Sequence, residues 1–169
     1  MLTVDLGRLE RQGSVLIDAE LPPDAALVEG TGVELADPVR VEARAQYSGL
    51  DVVVRGRATG RVRLGCRRCL ATVEAEVEAP LTLVYREDVE PAEAEAAEAY
   101  PLPARAHELD LGPAVREHLL LALPQYALCS EACRGLCPVC GTNLNEADCS
   151  CVVADEDERW APLKRLLSD

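Results

Sequence analysis

The chain has no phenylalanine, one tryptophan and four tyrosines in 169 residues. Large aromatic side chains are the biggest single contributors to burial, so the core must be assembled from Val, Leu and Ala. A chain of this length buries roughly two-thirds of its unfolded surface, enough for one domain or two small ones sharing a metal site. With such modest core material, a covalent or metal staple would matter. No stretch approaches the ~20 consecutive apolar residues of a membrane-spanning helix, so no membrane contact is expected. The opening "MLTVDLGRLERQGS" lacks the apolar run and the small-residue cleavage site of a secretory leader. A cytoplasmic protein is the expectation.

Histidine is nearly absent too. His107 borders an acidic stretch and His118 lies in a helical segment, so neither is placed as a ligand or a base. Basic residues are outnumbered, with 17 Lys and Arg against 30 Asp and Glu for a net charge of −13. The imbalance sits late in the chain: residues 1–86 carry 11 basic and 13 acidic side chains, residues 87–169 only 6 basic and 17 acidic. Such a molecule is a poor generic binder of phosphate backbones and suits a basic protein partner better.

Cysteine is what the chain has in quantity. Eight are spaced as Cys66-x2-Cys69, Cys129-x3-Cys133-x3-Cys137-x2-Cys140 and Cys149-x-Cys151. In a reducing compartment these point to metal rather than disulfides. Paired thiols on tight turns present two thiolates to one tetrahedral Zn²⁺. In "CPVCG", Pro138 fixes φ and Gly141 lets backbone amides approach the sulfurs. Four pairs make two zinc sites of four thiolates each. Cys137, Cys140, Cys149 and Cys151 are expected to form one, closed locally by "GTNLNEAD". Cys66, Cys69, Cys129 and Cys133 are expected to form the other, pinning an upstream hairpin tip to the C-terminal segment.

Competing chemistries fit less well. Cys133-x3-Cys137-x2-Cys140 has the spacing of radical-SAM enzymes, but those need a large βα barrel and no βα repeat exists here. "CRRC" lies between two strand patterns, not at the start of a helix in a βαβ unit as a thioredoxin-type pair requires. A zinc deaminase needs H-x-E before its P-C-x-x-C, which is missing. An iron–sulfur cluster of another kind stays open as an alternative.

Strands surround "CRRC". In "VRVEARAQ", Val39, Val41, Ala43 and Ala45 share one face, and Arg40, Glu42, Arg44 and Gln46 the other, the period of a half-buried strand. "YSGL" turns the chain. From about Val52 to Leu64 the even positions point inward, and Arg55, Arg57, Arg61 and Arg63 outward. Val73, Ala75 and Val77 continue the inward set after "CRRC", with Glu74, Glu76 and Glu78 outward. A hairpin centred on Cys66–Cys69 pairs Arg61 with Glu74, Arg57 with Glu78 and Val62 with Val73. Six arginines without an acid between Arg55 and Arg68 suggest an RNA-binding stripe, partly neutralised by those glutamates. Arg67 and Arg68 at the tip have no such partners and are the better phosphate-contact candidates, ahead of Arg61 and Arg63.

"PLTLVYRED" reads as a further strand and 87–106 as an acidic mobile linker. In "LDLGPAVREHLLLALPQ", Asp110 is placed to cap, Pro113 suits the first turn and Pro124 ends the helix. Leu111, Val115, Leu119 and Leu123 then pack on the sheet. Trp160, Leu163 and Leu167 give a short amphipathic helix in 152–169. The fold class is α+β: a mainly antiparallel β half over 1–86, the linker 87–106, and a helix with a cysteine-rich zinc-binding segment over 107–151.

"CRRCL", "ELDLGPAVREHLLLALPQYALC", "CRGLCPVCGTNLNEADCSC" and "DERWAPLKRLL" resemble, in this order, the YceD family of large ribosomal RNA subunit accumulation proteins. The family pattern has D-P-R-W where this chain has Asp157-Glu158-Arg159-Trp160. The resemblance implies a cytoplasmic, non-catalytic factor needed for large-subunit ribosomal RNA to accumulate, and so a role in ribosome assembly. Its partner would be a ribosomal RNA precursor or an assembling large subunit. The alternatives are an acidic binder of a basic ribosomal protein and, from another class, a thiol or iron–sulfur redox enzyme.

Overall fold

Alternating apolar residues and tight turns deliver a sheet-rich chain. The computed structural model describes residues 2–87, 99–103 and 105–152. In order these form β1 (Thr3–Asp5), α1 (Leu6–Gln12), β2 (Ser14–Leu21), one 3-10 turn (Ala25–Leu27), β3 (Glu34–Leu35), β4 (Val39–Ser48), β5 (Asp51–Gly65), β6 (Thr72–Glu87), β7 (Tyr100–Leu102), β8 (Glu108–Asp110) and α2 (Gly112–Leu121). A six-stranded sheet runs β2-β4-β5-β6-β7, with β3 pairing β5 beyond the end of β4. Every pairing is antiparallel except β6 with β7. β1 and β8 form a separate two-stranded ribbon. No helix among the described residues is long and apolar enough to cross a membrane.

The core lies under one face of the large sheet. Val39, Val41, Val52, Val54, Val62, Leu81 and Leu83 from the strands meet Leu9 of α1 and Leu111, Val115 and Leu119 at α2, all at most 2% exposed. Burying each such side chain stabilises the fold by about 1.5–3 kcal/mol. Valine and leucine thus take the places large aromatics would fill. The two tyrosines that contribute sit together, with the Tyr85 and Tyr100 rings 5.3 Å apart. The Tyr100 hydroxyl donates to Glu117 of α2 at 2.8 Å, tying β7 to that helix.

The helices follow their end residues. The Asp5 carboxylate accepts from the Arg8 N–H at 2.6 Å and caps α1, which closes at Gly13. Asp110, expected as the cap, lies one residue too early: Leu111 is the N-cap of α2 and makes no side-chain cap bond. The Asp110 carboxylate accepts from the Gly112 N–H at 2.9 Å as an Asx turn, and Pro113 occupies the first turn. The Arg116 guanidinium donates to the Ala26 and Glu29 carbonyls, holding the loop before β3 against α2.

Two further expectations need correction. The β5–β6 register is displaced by two residues: Arg61 faces Glu76, Arg63 faces Glu74, Val62 faces Ala75 and Arg57 faces Pro80. A two-residue slip preserves which side chains face inward, so alternation cannot detect it. The cause is the turn. The Cys66 N–H donates to the Ala71 carbonyl at 2.8 Å, which draws Leu70 and Ala71 into the loop and moves its centre one residue, to between Arg68 and Cys69. Within 87–106, Tyr100–Leu102 is a strand rather than linker, and Ala99 and Leu102 are buried. Residues 88–98 of that stretch, and the helix expected around Trp160, Leu163 and Leu167, lie outside the described residues.

Candidate metal centres and the hairpin tip

Two cysteine turns in different parts of the chain have the same backbone. At Cys66-Arg67-Arg68-Cys69, the Leu70 N–H donates to the Cys66 carbonyl at 3.0 Å and the Cys66 N–H to the Ala71 carbonyl at 2.8 Å. At Cys137-Pro138-Val139-Cys140, the Gly141 N–H donates to the Cys137 carbonyl at 2.9 Å and the Cys137 N–H to the Thr142 carbonyl at 2.8 Å. In each, the N–H two residues past the first cysteine points at that cysteine's sulfur, at 3.5 Å from Arg68 and 3.4 Å from Val139. Such N–H···S contacts favour the thiolate. The residue after the second cysteine adopts positive φ in both, 74° at Gly141 and 62° at Leu70.

Leucine in that conformation is strained by roughly 1–2 kcal/mol, and its side chain is 71% exposed. Leu70→Gly is therefore expected to raise the midpoint of thermal unfolding by a few degrees. A lowered midpoint would show that the leucine side chain makes a contact worth more than the strain.

The fold brings the sulfurs into two groups: Cys66, Cys69, Cys129 and Cys133, and Cys137, Cys140, Cys149 and Cys151. These are the same sets the spacing suggested. Within each group all four sulfurs lie within 4.8 Å of one another. Cys66 and Cys133 are 3.8 Å apart and Cys69 and Cys129 3.5 Å apart. A tetrahedral ion with metal–sulfur bonds of ~2.3 Å separates its ligands by ~3.8 Å, so the donor sets fit one thiophilic ion each. The thiols are all free, with no disulfide.

Crowding divides the thiols. The Cys69 and Arg68 N–H groups hold Cys66 down to about 6, whereas the adjoining Cys133 and Cys69 thiols push Cys129 up to about 12. In the second group the Thr142 hydroxyl and N–H hold Cys140 down to about 6, and Cys140 in turn pushes Cys151 up to about 12. Cys133 and Cys137 are lowered from the ordinary thiol value as well, and Cys69 and Cys149 raised. A cation bound among them would favour the thiolate at every position.

The groups differ in setting. Cys66, Cys69 and Cys133 are buried, and Val73, Leu128 and Leu136 pack around them as a small second core. The second group exposes Cys140 and half-buries Cys149 and Cys151. Asn145 links the two: its amide donates to the Cys133 sulfur at 3.4 Å and accepts from the Arg134 N–H at 2.8 Å. Sequence reasoning missed this asparagine, although "NLNEAD" has the side chains of an Asx turn.

The arginines meet different fates. Arg61 pairs with Asp37 at 3.3 Å, and Arg63 with Glu74 at 3.4 Å and Glu34 at 3.7 Å. Asp37 and Glu34 come from the β3 region, which strand alternation around "CRRC" does not reveal. Arg67 and Arg68 have no carboxylate within 4 Å among the described residues, but neither hangs free. The Arg68 guanidinium donates to the Cys133 carbonyl at 2.9 Å and the Glu131 carbonyl at 3.4 Å, and the Arg68 carbonyl accepts from the Leu136 N–H. Arg68 thus ties the tip to the C-terminal segment, a role the sequence reading did not give it. Arg67 lies over the exposed Tyr126 ring, 5.3 Å from its centre, as a cation–π pair. His107 and His118 belong to neither sulfur group.

Residues 54–167 match a family model described as large ribosomal RNA subunit accumulation protein YceD. Over 165 residues the chain is 28% identical to the large ribosomal RNA subunit accumulation protein YCED homolog 1, chloroplastic, of Arabidopsis thaliana. That match covers 82% of this chain and 49% of the plant protein. The chain is 26% identical over 141 residues to an uncharacterized protein of Mycobacterium leprae, covering 82% of this chain and 64% of that one. It is 26% identical over 170 residues to an uncharacterized protein of Mycobacterium tuberculosis, covering 98% and 81%. The chain therefore spans about half the length of the plant relative and under two-thirds of the M. leprae protein. No solved structure matches it.

Proposed function

This chain belongs to the YceD family of large ribosomal RNA subunit accumulation proteins, and from that membership we propose that it is a cytoplasmic, non-catalytic factor in assembly of the large ribosomal subunit. It acts by contacting precursor ribosomal RNA. The observation that carries this reading is the hairpin tip: a turn bearing Arg67 and Arg68, neither with a carboxylate within 4 Å among the described residues, beside four cysteines. Zinc is the ion assigned to both tetrads, since four thiolates on tight turns suit it best. Bound there, it supplies structural stability and leaves no open coordination position. Cys66, Cys69, Cys129 and Cys133 hold the tip against the C-terminal segment, so Arg67 is presented on a rigid element. The exposed face of Tyr126 beside it offers a stacking surface for an unpaired base.

A second reading draws on charge. With 30 acidic against 17 basic residues, and most of the excess beyond residue 86, the chain suits a basic ribosomal protein. Sedimentation of the tagged protein in cell extract separates the two. Co-migration with large-subunit precursors, and loss of large-subunit RNA in a strain lacking the protein, is the expected result. Migration at the top of the gradient with a free ribosomal protein would favour the second reading instead.

Arg67→Glu is the sharper probe of the tip, because Arg68→Glu would also break the bonds to the Cys133 and Glu131 carbonyls. Arg67→Glu is expected to weaken RNA association about tenfold at moderate salt while both metal ions are retained. Unchanged association would remove the tip from the interface.

A further inference from the structure

Most arginines on the open face of the sheet are paired with a carboxylate. Five of its arginines have a carboxylate within 4 Å: Arg40 with Asp18, Arg57 with Glu42, Arg61 with Asp37, Arg63 with Glu74, and Arg86 with Asp51. Arg44 and Arg55 have none among the described residues, and they stand directly opposite each other on β4 and β5. Their cross-strand neighbours are Leu16 on β2 and Thr82 on β6. The whole row, Leu16–Arg44–Arg55–Thr82, is exposed and carries no acid. Among the described residues, its one side-chain hydrogen bond is a weak 3.4 Å bond from Arg44 to the Ser14 hydroxyl.

Like charges directly opposite in a sheet destabilise it, and one carboxylate at either position would relieve the repulsion, as it does in the adjoining row at Glu42 and Arg57. Two exposed arginines on adjacent strands, whose backbones run ~4.8 Å apart, suit a phosphate group, whose oxygens accept from both guanidinium groups. The face is open and flat, so a small free anion would gain only those two contacts. A polymer gains more. Arg55 lies near the start of β5 and the tip arginine Arg67 two residues past its end, roughly 35 Å apart at ~3.4 Å per strand residue, a span that a nucleic-acid backbone covers.

We propose that Arg44 and Arg55 form a second phosphate-binding site, on the open face of the sheet, that receives backbone phosphates of the RNA held at the hairpin tip. The site rests on the RNA reading above but uses different residues from it. The β4–β5 register places the two arginines on facing positions whether or not RNA is present.

The test uses the full metal-bound chain and a short fluorescein-labelled RNA stem-loop, with affinity read by anisotropy across a salt series. Arg55→Glu puts a carboxylate opposite Arg44. It is expected to raise the thermal midpoint, lower RNA affinity about tenfold or more, and flatten the salt dependence of log affinity by about one. Arg44→Gln with Arg55→Gln is expected to weaken binding without that gain in stability. A rise in the midpoint with affinity unchanged would make the arginines a structural oddity and overturn the site. So would displacement of the RNA by inorganic phosphate beyond what chloride achieves at equal ionic strength, which would assign the site to a free anion. If the unaltered chain binds no RNA, the proposed function itself falls. If it binds RNA and both Arg55→Glu and the double glutamine variant bind as well, only the second site falls.

Discussion

Cys133→Ser is expected to leave the chain with one metal ion in place of two and to lower its thermal midpoint by about 10 °C or more. Cys133 is 3% exposed, and its sulfur lies 3.8 Å from that of Cys66 and accepts from Asn145. A serine oxygen is a harder and poorer ligand for a thiophilic ion, and three remaining thiols cannot close the tetrahedron. Structural zinc contributes roughly 10–16 kcal/mol of apparent binding energy in small domains. The tip would then be held by backbone bonds such as Leu136 N–H to the Arg68 carbonyl, by the Arg68 side chain and by the small apolar cluster of Val73, Leu128 and Leu136. Cys151→Ser makes a matched comparison. It should also cost one ion, but that group is more exposed and joins no strand of the large sheet, so the main unfolding transition should move little. Metal analysis by mass spectrometry with calorimetry reads both effects. Two ions retained in Cys133→Ser, or equal damage from both substitutions, would contradict the division into a buried anchor and a peripheral site.

Gly56→Ala is expected to destabilise the fold by about 3 kcal/mol or more, read as a shift in denaturant midpoint without a change of slope. Gly56 sits opposite Ala43, and β4 crosses it so closely that a Cβ would overlap the Glu42 carbonyl oxygen and come within 2.5 Å of the Ala43 Cα. These are backbone atoms of a neighbouring strand and cannot rotate away. The strands would have to separate where their side chains fill the core. Gly60→Ala is the control. The nearest atom there is a Val39 methyl at 3.3 Å, so its cost should stay near ~1 kcal/mol. If Gly56→Ala is as mild as Gly60→Ala, the close crossing does not exist in solution.

Legibility in the sequence followed the physics of each signal. β4 was readable because solvent lies on one face: Val39, Val41, Ala43 and Ala45 are buried while Arg40, Arg44 and Gln46 are exposed. The β5–β6 register was not, because Leu70 gives no sign that it will take positive φ and lengthen the turn. α1 carries a legible signature after the fact, with Asp5 and Gly13 bracketing Leu6 and Leu9, but seven residues make only two turns of periodicity. β7 was hidden by the prolines around Tyr100 and by the acidic run before it. For the cysteines, spacing gives the pairs, since a tight turn fixes two thiols at once. Which pairs share an ion depends on β5 and β6 carrying Cys66 and Cys69 to the segment after α2. The salt bridges depend on strand neighbours far apart in sequence, so the arginine stripe looked freer than it is.

The ribbon that joins Thr3 to Asp110 bears on how the molecule comes to be made. On a nascent chain, β4, β5 and β6 can meet as successive hairpins within the first 87 residues. The apolar underside of that sheet stays uncovered until Leu111, Val115 and Leu119 have been added, and the buried sulfur group waits for Cys133. Closing contacts across such long separations is slow, and in the interval a hydrophobic sheet face lies open to other chains. The hairpin tip can therefore be pinned through Cys66, Cys69, Cys129 and Cys133 only after α2 and the segment that follows it have been made.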